Sequence, residues 1–358
     1  MSRFINIGMY KFDNNNQLLN LPLVSIIIPF FNNQTDLPRC LDSILRQTYT
    51  KWEAICVDDG STDASGQIVD NYAKHDARFN VIHQKNAGVS VARTVALSRA
   101  TGTYLIMVDA DDYAEPYMIE KMVERAVCSS VDLVITGTKC IKKGGKQINA
   151  VPKMLSGLHA SKVSEFFVHF SPAPHAKMYK MSIVKEHNIS FPSGVVMGED
   201  AVFNAAYWHY VKKVYVLKEP LYVYDESNTL SATSKFVAGK LPFSVYAQTV
   251  SLPCIIYDEL SKRRDGVKTL SEWLPSLLRM QLIEHGWVMD VTFTDVQYRE
   301  DLRKISVDCY RNLANKTSLA SRCNVNVLYI LGRVKGKFLR FAGKLKRFLL
   351  DLLIYKKH

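Results

Sequence analysis

Three short acidic segments hold the residues of this chain whose types and spacing suit them to chemistry. Asp109-Ala110-Asp111 sets two carboxylates at i and i+2, which point the same way in extended backbone. At the tip of a strand such a pair makes half of a hard-cation site. Mg2+ and Mn2+ favour oxygen ligands and complete their shells with water and substrate phosphates. Asp58-Asp59-Gly60-Ser61-Thr62-Asp63 joins carboxylates to a glycine that permits a sharp turn, and Asp59 suits a base or ribose held at a sheet edge. Gly198-Glu199-Asp200 opens a helix and offers a general base beside a cleft. Each segment also has a structural alternative: a solvated acidic turn or cap, an Asx turn, and acids favoured by a helix N-terminus.

The elements around these segments must deliver them to one place. Val24–Ile28 is a short β-branched run and reads as a buried strand, closed by Pro29 and Asn32-Asn33. Helical spacing follows over Asp36–Gln47, a strand over Trp52–Val57, a helix over Ser65–Ala73 and a strand over Phe79–His83. Val89–Ser98 is a helix, Tyr104–Val108 a fourth strand, Pro116–Cys128 a helix and Val131–Ile135 a strand. Such alternation predicts an α/β fold, a Rossmann-like, mainly parallel sheet with helices on both faces. Ligands of these sheets bind beyond the carboxyl ends of the strands, near a topological switch point. Pro29–Asn33, Asp58–Ser61 and Asp109–Asp112 all fall at such ends.

Beyond residue 136 the rhythm fades. Lys139–Gln147 reads as a polar, mobile loop and a possible lid, and Phe191–Gly194 as a loop leading to the helix 201–210. Val214–Leu217 and Leu221–Tyr224 read as two strands around Glu219-Pro220. His175 and His209 read as packing or surface histidines, and Lys177 as either a phosphate contact or a solvated lysine. The expected organisation is a polar extension (1–21), a main domain (22–235) with halves 22–115 and 116–235, a helical region (236–325) and a basic tail (326–358).

The 358 residues include 46 Lys and Arg against 34 Asp and Glu, a net +12. That suggests an anionic partner. Residues 331–358 hold nine basic residues and one acid, 9 − 1 = +8 of that total. Val334, Phe338, Phe341, Leu345, Phe348, Leu349 and Leu352 share one helical face, with Arg333, Lys337, Arg340, Lys344 and Arg347 opposite or flanking it. This pattern predicts an amphipathic helix lying on an anionic membrane surface, the alternative being a terminal helix docked on the core. Aromatic interleaving is weak and no recognition motif accompanies the charge, so no nucleic-acid partner is expected. No apolar run reaches the roughly 18 residues a span needs, and no signal peptide is read at residues 1–20. Seven cysteines without CxxC spacing argue against a disulfide framework or structural zinc and for a reducing compartment.

Taken together, the motifs resemble glycosyltransferase family 2. Ser25–Asn32 is similar to its SIIIPxYN opening, Leu41–Thr48 to its LxSILxQT helix, Val57–Asp63 to VDDGSTD and Asn86–Arg93 to NxGxxxAR. Gly102–Asp112 resembles GxYxxxxDxDD, Gly198-Glu199-Asp200 the downstream GED, and Pro220–Tyr224 the PLYxY strand. The departures are Thr94 for the usual Asn, Phe31 for Tyr, and Pro174-His175 where Trp is frequent. The processive QxxRW pattern is absent from the sequence.

The resemblance implies a GT-A fold and inverting transfer of one sugar from a nucleotide-diphosphate sugar, UDP-linked, with Mn2+ or Mg2+ as cofactor. Pro29, Asp59 and Arg93 would lie at the nucleotide, Asp109 at the ribose and metal shell, Asp111 on the metal and Asp112 at the donor sugar. Asp200 would be the base, with Glu199 orienting a substrate. The acceptor would be a glycan or lipid-linked oligosaccharide for capsule, exopolysaccharide or lipopolysaccharide. The place would be the inner face of the cytoplasmic membrane, and the oligomeric state is left open. A sugar nucleotidylyltransferase is the enzymatic alternative, disfavoured because Pro29–Asn33 lacks a Gly-rich basic phosphate loop. A catalytically inactive, carbohydrate-binding scaffold is the other, disfavoured by the intact acids.

Overall fold

A computed structural model describes residues 21–142, 144–150, 157–160, 173–227, 235–236, 238–266 and 296–315. They fall into two compact units, divided after Asn228. The expected extension and basic tail lie outside the described residues, apart from Leu21.

The first unit opens as a strand–helix alternation: β1 (Val24–Phe30), α1 (Leu37–Leu45), β2 (Trp52–Asp58), α2 (Ser65–His75), β3 (Phe79–His83), α3 (Val89–Arg99) and β4 (Tyr104–Met107). These four strands pair in parallel in the order β3-β2-β1-β4. All seven β1 residues are buried, as expected of a strand covered on both faces. Val24, Ile26, Ile28 and Phe30 share a core with Leu37, Leu41 and Ile44 of α1 and Val69 of α2. The alternate face, with Ile27, is left to α3, which packs on β1 and β2 and buries Ala92, Ala96 and Leu97. The period of two in the strand thus distributes helices to both faces.

Pro29 lies inside β1, in register with Val57, instead of ending the strand. The reason is the length of β4. The Ile27 carbonyl accepts from Val108 on the β4 side, and Pro29 has the same parity, so its missing N–H faces a position where β4 has already ended at Met107. No ladder bond is lost there.

The second half of the unit contains β5 (Tyr113–Ala114), α4 (Met118–Ser129), β6 (Leu133–Ile141), β7 (Gln147–Ala150) and β8 (Gly157–Ala160). After these come β9 (Lys177–Lys180), α5 (Met181–Glu186), α6 (Glu199–Trp208) and β10 (Lys213–Asp225). The sheet continues β4-β9-β6-β10-β5. β9 is antiparallel to both β4 and β6, whereas β6 and β10 are parallel. The sheet is therefore mixed, with its parallel part concentrated in the first half.

Two expectations are corrected here. Lys139–Gln147 is not one loop: β6 runs to Ile141 and pairs antiparallel with β7, and the Lys142 N–H bonds the Lys146 carbonyl where the two strands meet. All four β7 residues are exposed, so the apolar alternation that announces a strand is missing. The two strands read around Glu219-Pro220 are one long strand, β10, with register shifts between Val216 and Tyr222.

In the second unit the described residues form α7 (Phe243–Ser261) and α8 (Val296–Asn315). Cys254 and Cys309 are joined as a disulfide with Cα atoms 6.1 Å apart, a single pair among the described residues, in a chain whose sequence argues against a disulfide framework and for a reducing compartment. A separation of 55 residues with no repeating spacing gives a sequence reader no signal for that pairing. Cys40, Cys56, Cys128 and Cys140 are free. Among the described residues no helix is long and apolar enough to cross a membrane.

Candidate active site at the carboxyl ends of β1, β2 and β4

The strand order makes β1 the switch between β2 on one side and β4 on the other. The tips of β2, β1 and β4 lie side by side in consequence, and the acidic segments sit on them. Asp59 donates its N–H to the Phe30 carbonyl at 2.9 Å, tying the β2 tip to β1. Its buried carboxylate takes three donors: Gln84 Nε2 at 2.7 Å and the Ala87 N–H at 2.9 Å on Oδ1, and the Gly88 N–H at 2.8 Å on Oδ2. Asp59 thus clamps segment 84–88, which leads into α3. Gly60 sits at φ 78, and a Cβ there would lie 2.8 Å from the Asn86 nitrogen.

At the β4 tip, Asp109 is the centre of a charge network. Arg93, from α3, donates Nη2 to Asp109 Oδ1 at 2.8 Å and Nη1 to Glu199 Oε1 at 2.6 Å. The Arg93 side chain is only 6% exposed, and its Nε is buried without a hydrogen-bond partner among the described residues. One guanidinium therefore bolts the β4 tip to the first turn of α6. Burial works against the Asp109 charge, but Arg93 and His175 outweigh it and hold the carboxyl well below the usual range. Burial likewise disfavours the Arg93 charge, and Asp109 and Glu199 more than restore it.

Asp112 is fully buried. It accepts the Tyr222 hydroxyl at 2.6 Å and the Asp225 N–H at 2.9 Å, and the Tyr222 oxygen accepts the Asp109 N–H at 3.2 Å. Burial and the neighbouring Asp109 push Asp112 well above the carboxylate range. Asp111 is half-buried, and burial followed by Asp109 raises its carboxyl to about 6. Its carbonyl accepts Arg39 Nη2 at 2.8 Å, while Arg39 Nη1 pairs with Asp225 at 2.7 Å. Arg39 so fixes the backbone of the acidic turn from α1.

Glu199 and Asp200 begin α6, behind Gly198 at φ 92. Burial and Asp200 raise Glu199 to about 7 against the pull of Arg93. Burial also raises Asp200, opposed by Arg93. Asp200 Oδ1 accepts the Ala201 N–H at 2.7 Å. The field of Asp109 raises the carboxyls of both Asp111 and Asp200, so Asp109 is the neighbour the two have in common.

Of the eight residues singled out from sequence, Arg93, Asp109 and Glu199 are in direct contact, and Asp112 joins them through Tyr222. Asp200 and Asp111 are neighbours through Asp109, while Pro29 and Asp59 sit on the adjoining strand tips. Arg93, expected at the nucleotide, has both terminal nitrogens committed to carboxylates. Among the described residues, the ligand atoms close enough to share one ion belong to Asp109, Asp112 and His175, all within 4.8 Å of one another. Asp111 is outside that group. Carboxylate oxygens with one imidazole nitrogen suit a divalent ion such as Mn2+.

Sequence reasoning missed four participants. His175, taken for a packing or surface residue, is stacked on Tyr222 with its Nδ1 3.6 Å from Asp109 Oδ2. Its only signal was the departure from the frequent Trp. Lys177 is buried, not solvated, and burial lowers its ammonium to about 8 against the pull of Asp200. Arg39 and Asp225 belong to none of the motifs singled out from the sequence.

A solved structure sharing this architecture is that of Staphylococcus aureus TarS residues 1–349 in complex with UDP-GlcNAc. The likeness has a TM-score of 0.61 at 19% identity and covers 82% of this chain and 90% of that one. The fold is accordingly GT-A. Residues 25–188 match the model of Glycosyl transferase family 2, and this part of the chain belongs to that family. Among curated relatives, the "uncharacterized glycosyltransferase EpsJ" of Bacillus subtilis is 34% identical over 215 residues, 58% of this chain and 62% of that protein. A poly(ribitol-phosphate) beta-glucosyltransferase of Bacillus spizizenii is 31% identical over 207 residues, 56% of this chain and 32% of that protein. The chain spans about three-fifths of the length of EpsJ, at 62%.

Proposed function

We propose that this chain transfers one sugar, with inversion, from a UDP-sugar to a hydroxyl of a glycan or lipid-linked oligosaccharide during bacterial surface-polysaccharide assembly. The observation that carries the reading is the bolt Glu199–Arg93–Asp109, which holds the helix opened by Gly198-Glu199-Asp200, just beyond the family 2 match at residues 25–188, against the DxD strand within that match. It brings a nucleotide-side carboxylate and the candidate base into one cluster. TarS, whose fold this chain shares, was solved with UDP-GlcNAc and with UDP, which favours a uridine donor.

In this reading Asp200 takes the proton of the acceptor hydroxyl. Its raised affinity for protons, caused by burial, brings it nearer the working pH and makes it a better base than a free carboxylate. The bond to the Ala201 N–H aims its carboxylate. Glu199 does not act on substrate directly but keeps Arg93 in place. Asp59 holds segment 84–88, and with Pro29 frames the nucleotide at the strand tips. Asp109 is the oxygen donor for a divalent cation, with Asp111 beside it on the same turn, and fully buried Asp112 lies on the inner side of that site rather than at the donor sugar. A bound Mn2+ or Mg2+ supplies Lewis-acid neutralisation of the diphosphate leaving group, so no protonated carboxyl is required there. The acidic donor set fits such an ion.

The basic 326–358 segment supports peripheral attachment to an anionic inner membrane face, where lipid-linked acceptors reside. The test is release of UDP or another nucleoside diphosphate from a panel of donors with Mn2+ present, followed by analysis of lipid-linked products. Asp200→Asn is expected to lower turnover by at least about a hundredfold, the scale of a lost general base, and Asp109→Asn to lower it comparably by removing an oxygen donor of the cation. A folded Asp200→Asn variant with normal turnover removes Asp200 from the mechanism. No nucleotide release from any donor removes the proposed activity.

A further inference from the structure

His175 is left without a task by the reading above, and its geometry is not that of a packing ring. Its Nδ1 is buried and makes no hydrogen bond among the described residues. It points at Asp109 Oδ2 across 3.6 Å, beyond ordinary hydrogen-bond distance. Two ligands each about 2.1 Å from one ion lie roughly 3.0 Å apart at right angles, and about 3.6 Å apart when the angle opens towards 120°. The gap is therefore the size that a shared cation needs.

The surroundings hold that gap open. Asp109 Oδ1 is committed to Arg93, which leaves Oδ2 to face the imidazole. The ring is stacked on Tyr222 with centroids 4.6 Å apart and planes 4° apart, and on Tyr224 at 5.5 Å. Tyr222 is also the residue that bonds Asp112 and the Asp109 N–H. One tyrosine thus positions all three candidate donors, a supporting arrangement that fixes ligand orientation in advance. The next residue, Ala176, is buried at φ 56, a left-handed conformation that a residue with a Cβ adopts at a cost. The chain accepts that strain where it carries His175 to the β4 tip.

We propose that His175 Nδ1 is a nitrogen ligand of the divalent cation held by Asp109, with Asp112 on the inner side. The proposal rests on the metal-dependent reading given above. It extends it with a donor from outside the acidic motif, at a position where the family frequently has Trp. Its consequence is metal preference. Magnesium strongly favours an all-oxygen shell, while manganese accepts imidazole. The His175 nitrogen biases the site towards Mn2+.

The experiment is pulsed EPR of the full chain loaded with Mn2+ and UDP, with Mn2+ and Mg2+ affinities measured alongside. Wild type is expected to show nitrogen coupling on Mn2+ that changes character when histidine is 15N-labelled. His175→Phe keeps a ring for the tyrosine stack and is expected to lose the coupling. Its Mn2+ affinity should fall at least about tenfold, and its Mg2+ affinity by less than about threefold. His175→Gln is the companion should the Phe variant fail to fold as judged by near-UV circular dichroism, and it should lose the same coupling. Wild type that binds Mn2+ without nitrogen coupling, or variants that keep wild-type Mn2+ affinity, overturn the ligand assignment and leave the transferase reading standing. Absence of any Mn2+ binding in the presence of UDP overturns both.

Discussion

Replacing Arg93 by Met tests the central bolt most directly. Met keeps much of the volume of the side-chain stem but removes both charge-assisted bonds, 2.6 Å to Glu199 and 2.8 Å to Asp109. The two acids are left facing each other with side chains only 9% and 27% exposed. Removing one partner of a buried ion pair typically costs about 3–5 kcal/mol, because the remaining charge stays desolvated. At about 2–4 °C per kcal/mol for a unit of this size, the melting temperature should fall by roughly 6–20 °C. Arg93→Lys restores charge, but a compact ammonium cannot fork to two carboxylates. It should lose one charged hydrogen bond, about 1.5–3 kcal/mol. Thermal unfolding at fixed pH and two salt concentrations is the assay, and the loss should change little with salt because the pair is buried. Combining Arg93→Met with Glu199→Gln should give back more than about 0.5 kcal/mol relative to additivity. An Arg93→Met protein melting within a degree of wild type would refute the reasoning, since the guanidinium would then be holding nothing together.

Two further outcomes follow from local geometry. A Cβ at Gly102 would lie 2.7 Å from the Leu23 oxygen, the Ser25 nitrogen and Ser25 Oγ. Two of these atoms are backbone and cannot swing aside, so Gly102→Ala should destabilise the first unit by about 1–3 kcal/mol in urea unfolding. His83, hydrogen-bonded to Asp58 at 2.9 Å and Asp70 at 3.1 Å, holds its proton more tightly than a free histidine, mainly through Asp58. Because its folded pKa is raised, its contribution to stability is complete below the usual histidine range and is lost as pH rises through the folded value. The half-exposed ring keeps that contribution small. NMR titration of the His83 ring should give a midpoint above the usual one, and Asp58→Asn should bring it back down.

Much of the first half was legible because its signals are local. A run such as Ser25-Ile26-Ile27-Ile28 is buried on both faces, and little other than an interior parallel strand accommodates it. Asp58-Asp59-Gly60 and Asp109-Ala110-Asp111 lie where such strands stop, so their place at the carboxyl edge follows from chain order alone. The second half was less readable. β7 is exposed throughout and carries no alternation. β9 runs against its neighbours, and no periodicity in Lys177-Met178-Tyr179 announces its direction. The Cys254–Cys309 pair depends on how two helices meet.

The sequence by itself determined the α/β class, the family resemblance and the residue types of the acidic cluster, because strand burial and turn chemistry are written in adjacent residues. Only the tertiary structure decided what those residues do to one another. Arg93 became a buried bridge rather than a free cation, Glu199 its partner, and His175 a neighbour of Asp109. These contacts join residues between 16 and 106 positions apart. Charge effects between them depend on distance and burial, and neither quantity exists until the sheet has brought α3, β4, β9 and α6 together.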